Sequence, residues 1–228
     1  MKRPAPDPTA FIRQNLRPGP APMLPEITLF QPHPGSGLAR LGREPYWAYL
    51  WAGGAALAHH VAANPEVVRG RSVLDLGAGS GVVGIAAALA GAARVICAET
   101  DPYGAAAIAL NAALNGVTVE VWAHDLLAGP PPEVDLIAAG DVFYAADLAA
   151  RMGGWLAVCH AAGIAVLVGD PGRAHLPWAL LSELARYPVQ DFGRPPGAAP
   201  IAGMVFAFCP QPADTGAPSS RATVSTRA

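Results

Sequence analysis

The chain has 228 residues, of which 52% are hydrophobic, so it is long and apolar enough for one large α/β domain, and global disorder is excluded. A formal net charge of −2 without a basic run argues against a surface that binds nucleic acid. No segment reads as a convincing membrane span, and the N-terminus lacks the continuous apolar core of a signal peptide.

The N-terminal segment, residues 1–44, is rich in proline, and we expect it to pack on the main domain. It contains one predicted helix at 8–15 and one predicted extended segment at 24–30. The main domain is predicted to cover residues 45–210, and a helix at 53–63 leads toward its first strand.

From residue 72 onward, strands and helices alternate along the chain. Strands are predicted at 72–76, 94–98, 117–122, 134–139, 164–168, 189–192 and 201–208. Helices are predicted at 82–91, 103–114, 147–160 and 176–186. This alternation predicts an α/β fold with a Rossmann-like, doubly wound, seven-stranded, mostly parallel sheet and helices on both faces. Residues 211–228 lack an apolar period and are predicted to be a disordered tail.

A glycine-rich turn follows the first of these strands and leads directly into a helix. Its sequence is Gly77-Ala78-Gly79-Ser80-Gly81, so a ligand could contact the backbone and the positive end of the helix. The next strand ends on Glu99, about twenty residues further on, where such a unit delivers an acid to a ribose diol. The pattern predicts a nucleoside-bearing cofactor. NAD remains an alternative, because Gly84 offers a substitute for the third glycine of the dinucleotide fingerprint.

Residues 73–81, Val-Leu-Asp-Leu-Gly-Ala-Gly-Ser-Gly, resemble motif I of the class I, seven-strand S-adenosylmethionine methyltransferases. The resemblance implies S-adenosyl-L-methionine as the cofactor, with Asp75 near its methionine end and Glu99 on its ribose. It further implies that an acid after the third strand, here Asp125, accepts a hydrogen bond from the adenine amino group. The glycines that would face the cofactor are Gly77, Gly79 and Gly81.

The fourth strand ends in Gly140-Asp141-Val142-Phe143-Tyr144, beside the glycine loop in this topology. Methyl transfer from a sulfonium requires the nucleophile to be held about 3 Å from the methyl carbon. A carboxylate can orient an incoming ammonium, and aromatic faces suit a cation with an alkyl chain. We therefore predict Asp141 and Tyr144 as catalytic residues, with Asp141 also beside the cofactor and Phe143 and Tyr144 in contact with the substrate. The alternative is a strand-end aspartate with core aromatic residues.

The Asp-x-Phe-Tyr pattern resembles the branch of seven-strand methyltransferases that modify lysines in non-histone proteins. Within that branch, residues 45–54, 64–72, 140–144 and 169–173 resemble the electron transfer flavoprotein β-subunit lysine methyltransferases. The resemblance covers roughly 45–210. It implies a protein-lysine N-methyltransferase whose partner is the β subunit of electron transfer flavoprotein.

Two further segments of this resemblance supply site predictions. Trp51 lies in a tryptophan-containing segment that packs over the cofactor in this family, although its alternative role is to pin the N-terminal segment to the core. Asp170 and Arg173 follow the fifth strand and are predicted to bind the substrate. Asp170 would orient it, and Arg173 would anchor an acidic feature of the partner. A tight turn with a local ion pair is the alternative for these two residues.

Several functional alternatives stay open at this stage. A small-molecule N-methyltransferase of the nicotinamide type would use the same cofactor cradle, a non-catalytic module would only bind the cofactor, and an NAD oxidoreductase would share the fold.

The cysteines, Cys97, Cys159 and Cys209, are widely spaced in apolar segments and match no metal site. We expect reduced thiols in a cytoplasmic monomer that binds no metal.

Overall fold

A seven-stranded sheet forms the centre of the computed structural model, which describes residues 6–193, 195 and 197–210. The helices are α1 (Pro8–Asn15), α2 (Ala52–Ala63), α3 (Val82–Leu89), α4 (Pro102–Leu114) and α5 (Ala146–Ala161). The strands are β1 (Arg17–Ala21), β2 (Leu24–Gln31), β3 (Ser72–Leu76), β4 (Arg94–Ala98), β5 (Glu120–Trp122), β6 (Leu136–Gly140), β7 (Ala165–Asp170), β8 (Leu181–Val189) and β9 (Ile201–Phe208). The tail predicted for 211–228 lies outside the described residues.

The strand order in the large sheet is β5-β4-β3-β6-β7-β9-β8. The pairs from β5 to β7 are parallel, whereas β9 runs antiparallel to both β7 and β8. The chain order therefore reverses between β3 and β6, which is where ligands bind in open α/β sheets. This topology confirms the predicted Rossmann-like, mostly parallel sheet.

Alternating side chains of the central strands bury both faces of the sheet. Val73 of β3 and Val95 of β4 pack in one apolar cluster with α2 and α3. Leu74 and Ile96, their neighbours along the same strands, pack in a second cluster with α5. Helices on both faces are thus confirmed, and the predicted bounds of β3, β4 and β9 agree with the observed ones.

The N-terminal segment packs against α4. Helix α1 buries Phe11, whose ring meets that of Tyr103 edge-to-face at 5.5 Å between centroids. The hairpin formed by β1 and β2 is held by an amide of α4 and by the amide that caps this helix: Asn111 Oδ1 accepts from the backbone N–H of Phe30, and Asn115 Oδ1, at the C-cap, from that of Thr28, both at 2.8 Å. The pairing of β1 was not predicted, because its Arg-Pro-Gly-Pro-Ala sequence reads as a turn.

Two predictions for the C-terminal part are wrong. The helix predicted at 176–186 is instead a short 3₁₀ turn, Trp178–Leu180, followed by β8, and the strand predicted at 189–192 begins where β8 ends. Residues 181–187 contain good helix formers, but they pair along β9 at the edge of the sheet, and tertiary pairing overrides local propensity. Among the described residues, none of the helices combines the length and apolarity that crossing a membrane requires.

Candidate active site

A cavity of about 650 Å³ opens at the carboxyl ends of β3, β4 and β6, where the strand order reverses. Its walls come from the glycine loop, the strand ends and the aromatic segment before α2, residues 46–51. The residues that line it include Glu44, Tyr46, Trp47, Trp51, Gly77, Gly79, Glu99, Asp101, Asp125, Asp141, Tyr144, Arg151 and Arg173. Most of the predicted site residues are therefore brought together in one place.

The glycine loop exposes backbone to the cavity at Gly77 and Gly79. Both have a positive φ, +69° and +54°, which residues other than glycine rarely adopt. Gly81 also has a positive φ, but it stands at the N-cap of α3 and is not among the described residues that line the cavity. The loop thus offers two glycines to a ligand rather than the three that were predicted.

Asp75 lies beneath the loop rather than in the cavity wall. Its side chain is buried, and Oδ2 accepts a hydrogen bond of 2.9 Å from the backbone N–H of Gly84 in α3. Burial raises the pKa of the Asp75 carboxyl to about 7, against the lowering effect of that hydrogen bond. We therefore replace the predicted cofactor contact of Asp75 with a supporting role between β3 and α3.

Glu99 closes the other side of the glycine loop. Its Oε2 accepts from the N–H of Gly79 at 2.9 Å, and its Oε1 accepts from the N–H of Asp101 at 2.8 Å. Burial raises the pKa of this carboxyl, and the backbone donors partly oppose that effect. A carboxylate oxygen has a second lone pair, so Glu99 can still accept from a ligand hydroxyl in the cavity.

Asp125 lines the cavity on the side of β5. Its Oδ1 accepts from the N–H of Leu127 at 2.9 Å, and its Oδ2 pairs with Arg151 Nη2 at 2.6 Å. The hydrogen bond from Arg151 holds the pKa of the Asp125 carboxyl below its ordinary value. Asp125 is thus an ionised acceptor at the cavity wall, with a guanidinium beside it.

Asp141 joins the end of β6 to the start of α2. Oδ2 accepts from the backbone N–H groups of Gly53 and of Gly54, the latter at 3.1 Å, and Oδ1 accepts from Arg173 Nε at 2.9 Å and Nη2 at 2.6 Å. Four donors therefore occupy the roughly four lone-pair sites of this carboxylate. Burial raises the pKa of Asp141 to about 6, against the lowering effect of the Arg173 charge. The geometry makes Asp141 a positioning group, and a substrate ammonium finds no free acceptor on it.

Arg173 is held in place by three acidic side chains. Oδ1 of Asp170 accepts from the backbone N–H groups of Gly172 and Arg173 at 2.7 and 2.6 Å. Asp170 is not among the described residues that line the cavity. Burial raises the pKa of Asp170. Asp191, which follows β8, accepts from Arg173 Nη2 at 3.2 Å. The guanidinium of Arg173 is thus paired with two carboxylates of the chain itself, those of Asp141 and Asp191.

Asp191 is the main site residue that the sequence did not indicate. Besides its bond to Arg173, its Oδ1 accepts from the N–H of Ala52, the first residue of α2, at 3.2 Å. Together with Asp141, it supplies carboxylate acceptors to the N-terminus of α2, where acceptors are most favourable. Nothing local in the sequence marks this role, because it depends on where the chain returns after β8.

The aromatic predictions divide into two groups. Trp51 and Tyr144 line the cavity, and the Trp51 ring lies 5.6 Å from the guanidinium carbon of Arg173. Phe143 is fully buried and packs with α5 in the core, so we remove it from the predicted substrate contacts. Tyr46 was not singled out from the sequence, yet it lines the cavity and lies 5.9 Å from Tyr144 between ring centroids.

The cavity carries an excess of negative charge. Among the described residues that line it, five are acidic and two are arginines, which gives a formal charge of −3. The acidic residues are Glu44, Glu99, Asp101, Asp125 and Asp141. Such a cavity favours cationic ligands over anionic ones.

Comparison with known proteins gives relatives of several kinds. The family model described as "Ribosomal protein L11 methyltransferase (PrmA)" matches residues 61–142. The solved structure of the 16S rRNA N2 G1207 methyltransferase of T. thermophilus with AdoMet and guanosine is similar in fold. It has a TM-score of 0.54 and 19% identity, with 85% of this chain and 50% of that chain covered.

The more similar relatives are curated as "Electron transfer flavoprotein beta subunit lysine methyltransferase". The Rattus norvegicus protein is 42% identical over 154 residues, which is 65% of this chain and 60% of the relative. The Xenopus laevis protein is 38% identical over 196 residues, which is 81% of this chain and 80% of the relative. The match thus spans about three-fifths of the length of the rat protein and four-fifths of the frog protein. This chain belongs to the family of the electron transfer flavoprotein beta subunit lysine methyltransferases.

Proposed function

We propose that the chain binds S-adenosylmethionine and transfers its methyl group to a lysine side chain of a protein. As the names of its relatives suggest, the proposed substrate is the beta subunit of electron transfer flavoprotein. We also propose that the protein works in the reducing environment of the cytoplasm, since its three cysteines are free.

The observation that carries this proposal is the excess of carboxylates in a cavity next to the glycine loop. S-adenosylmethionine bears a sulfonium, and a lysine side chain is an ammonium in water, so both ligands bring positive charge. NAD brings an anionic pyrophosphate, which the negative charge of the cavity disfavours; that charge is −2 when Arg43, which pairs with Asp101 at 2.7 Å, is counted with the lining residues. The charge balance therefore favours a sulfonium cofactor over a dinucleotide.

The residues present fit such a cofactor. Glu99 keeps lone pairs for ribose hydroxyls, and the backbone at Gly77 and Gly79 can be approached closely because no side chain intervenes. We assign Asp125 to the adenine amino group, since it is an ionised acceptor at the cavity wall. A volume of about 650 Å³ lies within the usual range for cofactor sites.

On the acceptor side, the lysine ammonium must first lose a proton to water, and the chain must then hold the neutral amine nitrogen in line with the methyl group and exclude water. S-adenosylmethionine, when bound, would supply an electrophilic methyl group. Asp141 and Arg173 fix the start of α2 and, through it, the position of Trp51 at the cavity. Tyr144 presents its ring to the cavity, and because the ordinary pKa of a tyrosine hydroxyl is about 10, it acts as a neutral aromatic contact.

The test is transfer of a labelled methyl group from S-adenosylmethionine to purified electron transfer flavoprotein, followed by mass spectrometry of the labelled subunit. We expect label on lysines of the beta subunit, and no label when those lysines are replaced by arginine. A matched incubation with nicotinamide separates the small-molecule alternative, which predicts a labelled heterocycle and an unlabelled flavoprotein. Tighter binding of NAD than of S-adenosylhomocysteine would contradict the proposed cofactor.

A further inference from the structure

Saturation of Asp141 leaves open which group receives the positive charge of an acceptor lysine. Its four hydrogen bonds come from the chain itself, and Arg173 lies against it as a cation. An incoming ammonium would therefore meet a filled carboxylate with a guanidinium beside it. The recognition site must be formed by other residues at the cavity.

Two tyrosines at the cavity are exposed to an unusual degree for large aromatic side chains. Tyr46 is 53% exposed and Tyr144 is 56% exposed, and their ring centroids are 5.9 Å apart. Exposed aromatic surface grouped at a cavity typically marks a binding site. Glu44, which also lines the cavity, makes no ion pair with a described residue, so its charge is available to a cation.

The exposed position of Tyr46 is built into the local structure. The next residue, Trp47, is buried, and its ring stacks on Tyr103 at 6.0 Å between centroids. The carbonyl oxygen of Tyr46 accepts a hydrogen bond of 2.9 Å from Trp51 Nε1. Since the backbone is fixed on both sides, the Tyr46 ring is held at the cavity rather than free to fold into the core.

We infer that Tyr46, paired with Tyr144, recognises the alkylammonium side chain of the acceptor lysine; this inference rests on the proposed function. Passing a methylene chain between two aromatic faces requires a separation of about 7 Å, twice the contact distance of carbon atoms. The observed 5.9 Å is shorter, so the chain lies across both rings rather than between them. The ring faces then attract the ammonium, and the carboxylate of Glu44 adds to that attraction.

This arrangement distinguishes a long alkyl amine from a flat heterocycle. An extended surface formed by two rings 36° apart follows a flexible chain, whereas a heterocycle stacks on only one of them. Tyr46 is thus a specificity-determining residue for a lysine acceptor.

The first measurement compares steady-state kinetics of Tyr46→Ala, Tyr46→Phe and the wild type with the flavoprotein beta subunit as substrate. We expect Tyr46→Ala to raise KM for the protein about tenfold, with kcat changed by less than about threefold. Tyr46→Phe keeps the ring and should stay within about twofold of the wild type. Trp178→Ala is the matched control, because Trp178 is 56% exposed but is not among the described residues that line the cavity.

The second measurement is independent of the identity of the protein substrate. A lysine-containing peptide and the same peptide with norleucine are titrated against each variant in the presence of S-adenosylhomocysteine. The wild type should prefer lysine, and Tyr46→Ala should show a weaker preference, since only Tyr144 and Glu44 remain, while its affinity for S-adenosylhomocysteine stays unchanged.

The outcomes separate the two proposals. If Tyr46→Ala keeps the wild-type preference for lysine, or if the wild type shows none, the inference is overturned. If the preference depends on Tyr46 but the flavoprotein is not labelled, the proposed substrate is wrong and the inference stands. The thermal midpoints of Tyr46→Ala and Tyr46→Phe are compared, because Tyr46→Phe retains the ring. Equal midpoints show that a weaker preference for lysine in Tyr46→Ala does not come from unfolding.

Discussion

Replacing Asp75 with asparagine should make the free energy of unfolding less dependent on pH between 5 and 8. Asp75 is buried, and burial raises the pKa of its carboxyl from 3.8 to about 7. Asparagine keeps an acceptor oxygen for the N–H of Gly84 and never ionises. The substitution therefore removes the titration without removing the hydrogen bond between β3 and α3.

The sign and size follow from proton linkage. A raised pKa in the folded state means that stability from Asp75 is fully present below pH 3.8 and is lost as the pH rises toward about 7. Between pH 5 and pH 7 the folded protein holds a proton that the unfolded chain has released, at about 1.36 kcal/mol per pH unit. Wild-type protein should therefore lose about 2 to 3 kcal/mol over this interval through Asp75, and Asp75→Asn should not.

Urea unfolding followed by tryptophan fluorescence at pH 5 and pH 8 measures this difference for both proteins. The control is Asp135→Asn, because Asp135 is exposed and its bonds to Ser72 lower the pKa of its carboxyl. Its contribution changes only in acid, so the variant should match the wild-type slope between pH 5 and 8. If Asp75→Asn also keeps the wild-type slope, the carboxyl ionises freely and the role assigned to it under the glycine loop is refuted.

Three further substitutions test the site. Glu99→Gln should weaken S-adenosylhomocysteine binding, measured by calorimetry, by about 1 to 3 kcal/mol, because a charged acceptor at the cavity is lost; unchanged affinity would exclude Glu99 from the cofactor site. Gly53→Ala should prevent stable folding, since a Cβ there would lie 2.1 Å from a carbonyl oxygen of β7, whereas a Cβ at the adjacent Gly54 would make ordinary contact with Val82 at 3.7 Å, so Gly54→Ala should be tolerated. Equal thermal midpoints for these two variants would show that α2 does not pack as described. Arg173→Met should lower the free energy of unfolding by about 3 kcal/mol at pH 8, because it leaves the buried carboxylate of Asp141 without its cation. The loss should shrink as the pH falls toward 6, because without Arg173 the pKa of the Asp141 carboxyl lies above its wild-type value of about 6 and the carboxyl takes up a proton sooner; a pH-independent loss in chemical denaturation would contradict this.

The central part of the fold could be predicted because its signals are local. Each of the strands β3 and β4 is a short apolar run with a turn after it, and their bounds agree with the structure. The region 176–192 failed because its strand is defined by pairing with β9, which lies later in the chain. Most residues of β8 are helix formers at an exposed edge, so their local sequence does not indicate pairing with β9.

The positions of the predicted site residues in the structure follow the same division. Glu99 and Asp125 could be located because strand ends of a parallel sheet meet at one edge. The contacts of Asp191 and the burial of Phe143 could not, since both depend on which elements pack from a distance. The strand-end pattern predicts that Asp141 lies at the cavity, but it does not predict the four hydrogen-bond donors that surround its carboxylate.

The backbone at Asp141 shows why this position holds an aspartate. Its φ of +54° lies in the left-handed region, which costs a residue with a side chain about 1 kcal/mol or more. Glycine would relieve that strain but would leave the N–H groups of Gly53 and Gly54 without their acceptor, and Arg173 would keep only Asp191. Aspartate tolerates the left-handed region better than most residues, and its short side chain reaches both groups from the end of β6. The strained residue therefore joins the carboxyl end of β6 to the start of α2, and the position of the aromatic residues that precede this helix at the cavity depends on that junction.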